Sequence, residues 1–191
     1  RNFIIYDNNV KKICRYKQYF AVKKCMKRIL LQDGADTRNG VVWHTQGSGK
    51  TITMIMLTKI ILRESMKPGS SIKRPRFVMV TDRINLDKQI RDNFIHTQMS
   101  PHLAKTGKGL IELLKEDGNT VITALVNKFE AAVKQEYCND SENIFVFIDE
   151  GHRTQYGKLN IYMNRVLPNA VKIAFTGTPL MQKKPKDDKR D

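Results

Sequence analysis

Short, continuously apolar runs recur along this 191-residue chain, and each has the length of a strand. They occupy residues 41–43, 77–80, 121–122, 144–148 and 171–175, with Lys172 the one interruption. Because these runs are apolar at consecutive positions rather than at alternate ones, they predict strands that are buried on both faces of a sheet.

Helix-like segments separate these runs, at residues 51–64, 84–95, 108–116, 125–136 and 158–166. Alternation of strand and helix predicts an α/β fold, with a mainly parallel sheet covered by helices on both faces. An amphipathic stretch at 16–31 precedes the sheet, and residues 3–6 predict an added strand.

Length and composition predict a single substantial core, since 40% of the residues are hydrophobic. We divide the chain into an N-terminal segment (1–35), a core domain (36–182) and a charged tail (183–191) that we expect to be frayed or to mark a cut in a larger polypeptide.

Basic residues outnumber acidic ones by 34 to 19, a net charge of +15 that suits a polyanionic partner. Nucleic acid is favoured over an anionic membrane surface, although a piece of a larger protein could also be basic because its acidic neighbours are missing. Three cysteines without a C-x-x-C pair predict neither a disulfide framework nor a zinc site, and favour a reducing cytoplasm. With no apolar run of about 20 residues and no signal peptide, we expect a cytoplasmic protein without membrane attachment.

A phosphate-binding loop is predicted at residues 45–51, Thr-Gln-Gly-Ser-Gly-Lys-Thr, between an apolar strand and an apolar helix. Glycines let backbone N–H groups wrap phosphate oxygens, and the helix N-terminus adds partial positive charge. Lys50 would reach the outer phosphates and Thr51 would ligate magnesium. The general pattern has a glycine where this chain has His44, and an ordinary glycine turn is the alternative.

Two carboxylates, Asp149 and Glu150, directly follow the apolar run 144–148. In open α/β sheets the C-terminal ends of the strands face the ligand crevice. We therefore expect Asp149 to hold magnesium beside Thr51 while Glu150 polarises the attacking water. Solvated loop acids are the alternative, and His152 by itself carries little weight.

Hydroxyl groups follow the last predicted strand, in Thr176-Gly177-Thr178-Pro179. They could respond to the state of a bound triphosphate. A simple turn is the alternative, because glycine and proline commonly follow a strand.

The order of these motifs resembles the first RecA-like domain of superfamily 2 helicases and DNA translocases, and most closely the R subunit of type I restriction–modification enzymes. The resemblance covers most of the chain. It is carried by Arg15-Tyr16-Lys17-Gln18-Tyr19, Trp43-His44-Thr45-Gln46-Gly47-Ser48-Gly49-Lys50-Thr51, Thr81-Asp82-Arg83, Asp149-Glu150-Gly151-His152 and Phe175-Thr176-Gly177-Thr178-Pro179.

The resemblance implies an ATP–Mg²⁺ site and a role in ATP-driven translocation on duplex DNA. It implies that Gln18 reads adenine, that residues 46–51 bind the nucleotide, and that three residues couple nucleotide state to DNA: His152, Thr176 and Thr178. It also puts Thr81, Arg83 and Lys128 near the DNA backbone, although Thr123-Ala124 and Gly151 depart from the common family pattern. Methylation and specificity subunits are the implied protein partners.

Two parts of such a motor have no counterpart that we find in the sequence. We see no nuclease motif before residue 40, and the second RecA-like domain, which supplies an arginine finger, would have to follow residue 191. An arginine finger contributes roughly 10³ to 10⁵ in rate, so we expect this chain alone to hydrolyse ATP poorly. We also expect the strand at 174–175 to lie between those at 41–43 and 144–148.

Three other functions stay open at this point. One is a superfamily 2 helicase or remodeller without a restriction role. Another is a small-molecule kinase with a phosphate-binding loop, which would bind DNA no better than a neutral protein. The third is a non-catalytic nucleic-acid module whose function is its basic face.

Overall fold

The computed structural model describes residues 3–31, 35–45, 47–149 and 156–177. The strands in chain order are β1 Ile4–Asp7, β2 Val10–Ile13, β3 Gly40–Trp43, β4 Arg76–Thr81, β5 His102–Ala104, β6 Val121–Leu125, β7 Ile144–Asp149 and β8 Val171–Thr176. The helices are α1 Tyr16–Ile29, α2 Ala35–Arg38, α3 Lys50–Ser65, α4 Ile84–His96, α5 Gly107–Lys115, α6 Val126–Val133 and α7 Tyr156–Val166.

Six strands form one sheet in the order β3-β8-β7-β4-β6-β5, and every neighbouring pair is parallel. The α/β class predicted from the sequence is confirmed, as is the position of the 171–176 strand between β3 and β7. Because all six strands run the same way, their C-terminal ends meet at one edge.

Hydrophobic side chains cover both faces of this sheet along its inner strands, which explains why those strand runs are apolar at consecutive positions. The edge strand β3 is the exception: Val41 and Trp43 are exposed, so the prediction that the run 41–43 is buried on both faces was wrong. Along β4, Phe77 and Met79 join one cluster with α1, α3 and α4, whereas Val78 and Val80 join a second cluster with α5, α6 and α7. The first cluster is rich in aromatic rings, and the Phe77 and Phe145 centroids lie 5.5 Å apart.

The strand predicted near the N-terminus exists but does not extend the sheet. β1 pairs antiparallel with β2 to form a separate hairpin. Its turn residues Asn8 and Asn9 have φ of 47° and 63°, the left-handed region that two-residue hairpin turns require and that asparagine tolerates. The sequence interpretation also missed β2, the three-residue β5 and the single-turn α2.

Candidate functional site

The three strands at one end of the sheet bring the predicted nucleotide residues to one edge. Trp43 of β3 is paired with Thr176 of β8, and Asp149 of β7 is paired with Phe175 of β8. The His44 N–H continues the ladder beyond β3 by donating to the Thr176 carbonyl at 2.9 Å. Neighbouring strands are about 4.8 Å apart, so the start of the phosphate loop and the end of β7 lie roughly 10 Å apart with β8 between them.

The described part of the predicted phosphate loop, residues 47–51, has the backbone shape that its glycines allow. Gly47 has φ of 76°, and a Cβ there would meet open space. Gly49 has φ of 82° and is the N-cap of α3, which begins at Lys50. The first turn of α3 contains no acidic residue, so nothing on that turn opposes the partial positive charge of the helix N-terminus. Such a helix end suits a phosphate group.

Gln18, on helix α1, forms hydrogen bonds to the backbone of this loop. Its amide nitrogen donates to the carbonyls of Ser48 at 3.1 Å and Gly49 at 3.2 Å, and its amide oxygen accepts the Arg15 N–H at 2.9 Å. The side chain is only 4% exposed. Both ends of the amide therefore bond to the protein backbone, a role that the sequence interpretation did not foresee. The adenine role of Gln18 stays a prediction.

Gln18 also determines which residue can follow Ser48. A Cβ built on Gly49 would lie 2.5 Å from the Gln18 amide nitrogen, which is closer than van der Waals contact permits. Glycine at this position is therefore favoured by its left-handed φ, and a larger residue would also require the Gln18 amide to move.

His44, at the non-glycine position of the general pattern, is buried beneath the loop with 8% of its surface exposed. Burial lowers the pKa of its imidazole, a hydrogen bond to the backbone of Lys17 opposes this, and the charges of Lys17 and Lys50 lower it further. Its Nδ1 atom is buried and has no hydrogen-bond partner among the residues that the structure describes. A neutral imidazole at physiological pH follows from this environment.

The residues predicted to contact DNA lie along the same edge, at its other end. Thr81 ends β4 and is buried, and its hydroxyl donates to the Arg83 carbonyl at 3.4 Å. Arg83 caps α4 with a largely exposed guanidinium that pairs with Asp82 at 3.8 Å. Lys128 lies in the first turns of α6, directly after β6, and β6 pairs with β4. This edge of the sheet thus carries two neighbouring sets of predicted site residues. The predicted nucleotide-binding residues follow β3, β8 and β7, and the predicted DNA-binding residues follow β4 and β6.

A buried carboxylate, Asp87, lies behind the second set and was missed in the sequence. It is 4% exposed, and burial raises its pKa, while the neighbouring Thr123 hydroxyl and the charge of Arg91 lower it. The carboxylate lies 3.9 Å from the Arg91 guanidinium, one helical turn further along α4. The i, i+4 spacing of these two residues was the available signal.

Four predicted site residues lie outside the described part of the chain: Gln46, Glu150, His152 and Thr178. Within 3–31, 35–45, 47–149 and 156–177, no group of three or more metal-ligating acidic, histidine or cysteine side chains comes together. No helix among the described residues has both the length and the apolar character needed to cross a bilayer.

Relatives of known type match this chain over most of its length. It is 35% identical to the provisionally named type I restriction enzyme MjaIXP endonuclease subunit of Methanocaldococcus jannaschii, over 94% of this chain and 17% of that protein. It is 32% identical to the type I restriction enzyme HindI endonuclease subunit of Haemophilus influenzae, over 94% of this chain and 19% of that protein. The chain therefore spans about a fifth of the length of these relatives.

The fold matches solved structures as well. The Sulfolobus solfataricus SWI2/SNF2 ATPase core, solved with double-stranded DNA, superimposes with a TM-score of 0.65 at 17% identity, over 92% of this chain and 34% of that one. The family model for the SWI2/SNF2 ATPase matches residues 17–190, which include every motif described above except the N-terminal end of α1. This chain belongs to the SWI2/SNF2 ATPase family.

Proposed function

We propose that this chain is the first RecA-like half of the ATP-dependent, DNA-translocating motor in the endonuclease subunit of a type I restriction enzyme. Its similarity to two such subunits over 94% of its length supports the restriction role. The whole subunit would step along duplex DNA, together with methylation and specificity subunits. Residues 1–191 would contribute no nuclease site.

The observation that carries the proposal is the arrangement of loop and carboxylate at one sheet edge. A glycine loop with two left-handed residues leads into a helix N-terminus without acids, and Asp149 ends a strand two positions along the sheet. This donor set fits a nucleoside triphosphate with magnesium: backbone N–H groups and Lys50 for phosphate, and the Thr51 hydroxyl with the Asp149 carboxylate for the metal.

The remaining residues take roles around that centre. Glu150 orients and deprotonates water, and Gln18 and Gln46 bind the nucleotide. His152, Thr176 and Thr178 transmit nucleotide state along the edge toward Thr81, Arg83 and Lys128, which contact the DNA backbone. Magnesium, when bound, would neutralise part of the phosphate charge. A second RecA-like domain is needed for rapid hydrolysis, because its arginine finger contributes roughly 10³ to 10⁵ in rate.

Nucleotide binding with and without Mg²⁺ tests the central site. We expect Lys50→Ala to weaken ATP binding by at least about tenfold, which corresponds to the loss of one charge-assisted hydrogen bond. We expect Asp149→Ala to remove the Mg²⁺ dependence of binding. Lys108→Ala and Asp117→Ala are matched controls, since both side chains are largely exposed and distant in sequence from the loop. Equal affinity across all of these proteins would reject the motor.

Duplex DNA binding separates the proposed motor from its rivals. The variants Arg83→Ala and Lys128→Ala each remove one positive charge. Each should weaken the binding of DNA duplexes by a similar factor whatever their sequence, and should make DNA affinity less dependent on salt concentration, as expected of contacts to phosphate. A small-molecule kinase would show no such binding. A non-catalytic nucleic-acid module would bind DNA but show no loss of nucleotide affinity in Lys50→Ala.

The family match favours one further candidate, a SWI2/SNF2 remodeller or superfamily 2 helicase without a restriction role. The full-length reading frame distinguishes the two. A nuclease domain in the same polypeptide would support restriction, and its absence would favour the remodeller.

A further inference from the structure

The two edges of the parallel sheet are built differently. At one edge, β5 is only three residues long, with Pro101 before it and Lys105 after it. Short length, proline and lysine are devices that prevent an edge strand from pairing with another chain. The other edge, β3, has the sequence Gly40-Val41-Val42-Trp43, which contains neither a charge nor a proline.

The backbone of β3 offers hydrogen bonds on its outer side. The His44 N–H donates to Thr176, and in a parallel ladder the residues that bond to the neighbour alternate along the strand. The N–H and C=O groups of Val41 and Trp43 therefore point away from β8. Among the described residues, no strand pairs with this side of β3.

Apolar side chains remain exposed at the same place. Val41 is 54% exposed and Trp43 is 62% exposed, which is unusual for two large residues of a four-residue strand. The Trp43 ring is held in place, since its indole N–H donates to the Gly177 carbonyl at 3.2 Å. An anchored aromatic ring with an open face suits a docking site.

Helix α1 forms the second wall of a cleft of about 850 Å³ beside β3. Tyr16, Phe20, Lys24 and Lys27 recur at helical spacing along this wall, and all four are exposed. Among the residues whose side chains the structure describes, those around the cleft include five from lysine and arginine and none from aspartate or glutamate. The cleft is thus apolar along the strand and positively charged along the helix.

We propose that the open edge of β3 and the facing side of α1 bind an extended polypeptide segment that carries acidic side chains toward α1 and pairs its backbone with Val41 and Trp43. Such strand addition takes its affinity from main-chain hydrogen bonds and its specificity from alternate side chains. The charge of the cleft selects an acidic segment. A nucleic-acid strand would also suit the lysines, but it would leave the outward N–H and C=O groups of β3 unpaired. Peptide binding at this surface would require neither ATP nor DNA, so the test of this proposal is independent of the test of the motor function.

The probe is a short synthetic peptide that alternates glutamate with valine, carries a fluorescent label, and is titrated with the protein while anisotropy is measured. We expect the unaltered protein to bind this peptide. The double variant Lys24→Glu with Lys27→Glu should bind it about tenfold more weakly, and this variant should regain affinity for a peptide that has lysine in place of glutamate. Lys108→Glu on α5, exposed and outside the cleft, is the matched control and should leave binding unchanged.

Backbone pairing is tested by Val41→Pro, which removes an N–H that β8 does not use, with Val41→Thr as the control that keeps it. We expect Val41→Pro to abolish peptide binding and Val41→Thr to change it by less than about threefold. A probe methylated on alternate backbone nitrogens should lose binding to the unaltered protein, which tests the same contact without any substitution.

Each of three results would overturn the proposal. The first is that the protein does not bind the peptide at millimolar concentration, and the second is that the methylated probe binds as tightly as the unmethylated one. The third is that a labelled single-stranded oligonucleotide displaces the peptide and binds the Val41→Pro variant as tightly as it binds the unaltered protein. The last would identify the cleft as a nucleic-acid surface.

Discussion

The amide nitrogen of Gln18 lies 3.2 Å from the carbonyl oxygen of Gly49, so a helix that precedes the sheet fixes the conformation of the phosphate loop. The same nitrogen also donates to Ser48. Gln18 thereby joins two segments that lie about 30 positions apart in the chain, and its contribution can be separated from that of the loop itself.

Gln18→Ala should raise the ATP dissociation constant about tenfold, because loss of two hydrogen bonds of roughly 1 kcal/mol each loosens the loop. Gln135→Ala is the matched control, since Gln135 also donates to a main-chain carbonyl, at 3.2 Å, but at an exposed helix end. Calorimetry with ATP, GTP and inorganic tripolyphosphate distinguishes two roles. If Gln18 positions the loop, all three ligands bind more weakly; if it reads adenine, only ATP does. An unchanged affinity for every ligand would refute both roles.

Gly49→Ala should destabilise the fold more than Gly69→Ala. Both glycines have a left-handed φ, 82° and 75°, which costs an alanine about 1 kcal/mol. Only at Gly49 does the new Cβ also collide with another residue, the Gln18 amide. Urea unfolding of both variants, and of Gly49→Ala combined with Gln18→Ala, isolates the collision. We expect the double variant to recover part of the loss, and strict additivity would contradict this contact.

Acid should destabilise the protein partly through His44. Burial holds the folded-state pKa of this imidazole below the unfolded value of about 6.5, so the unfolded chain binds the proton more readily. The contribution of His44 to stability is fully present above that value and is lost as the pH falls through the lower, folded pKa. Urea unfolding over a pH series should show that His44→Gln flattens the dependence of the unfolding free energy on pH as the pH falls below about 6.5.

Asp87→Asn should stabilise the protein at pH 7. Burial raises the pKa of this carboxyl above its ordinary value of 3.8, which means that folding disfavours the charged form despite Thr123 and Arg91. The folded state is favoured at low pH, and this contribution is lost as the pH rises through the folded pKa. The gain in unfolding free energy should therefore shrink as the pH is lowered toward 4. Asp117→Asn, at an exposed position, should change little, and a loss of stability in Asp87→Asn at pH 7 would contradict the prediction.

Much of the sheet could be predicted because its inner strands are buried on both faces. Ile144–Ile148 is apolar at every position, and the run in β8 is interrupted only by Lys172, a pattern typical of strands buried on both faces. β1 was predicted, but its partner β2 was not, because a two-stranded hairpin leaves residues such as Tyr6 and Ile13 exposed and its pairing depends on the Asn8-Asn9 turn. β5 was too short to be recognised by periodicity.

The parts of the candidate site whose geometry depends on local sequence could be predicted. Contacts between residues that are far apart in the chain could not. The glycine loop and Asp149 follow apolar strands directly, so their common edge could be inferred from a parallel sheet. The contact of Gln18 with Gly49 and that of Asp87 with Thr123 depend on how helices pack across the sheet. Spacing along the chain carries no information about that packing.

The position of β8 has a consequence for how the protein folds. Among the described strands, β8 is the only neighbour of β3, yet it is the last to be synthesised. A nascent chain that has passed β7 can assemble the four strands from β7 to β5, but β3 must wait until residues 171–176 leave the ribosome. Such late, long-range pairing slows folding, and during that delay the phosphate loop would follow a strand with no sheet beside it.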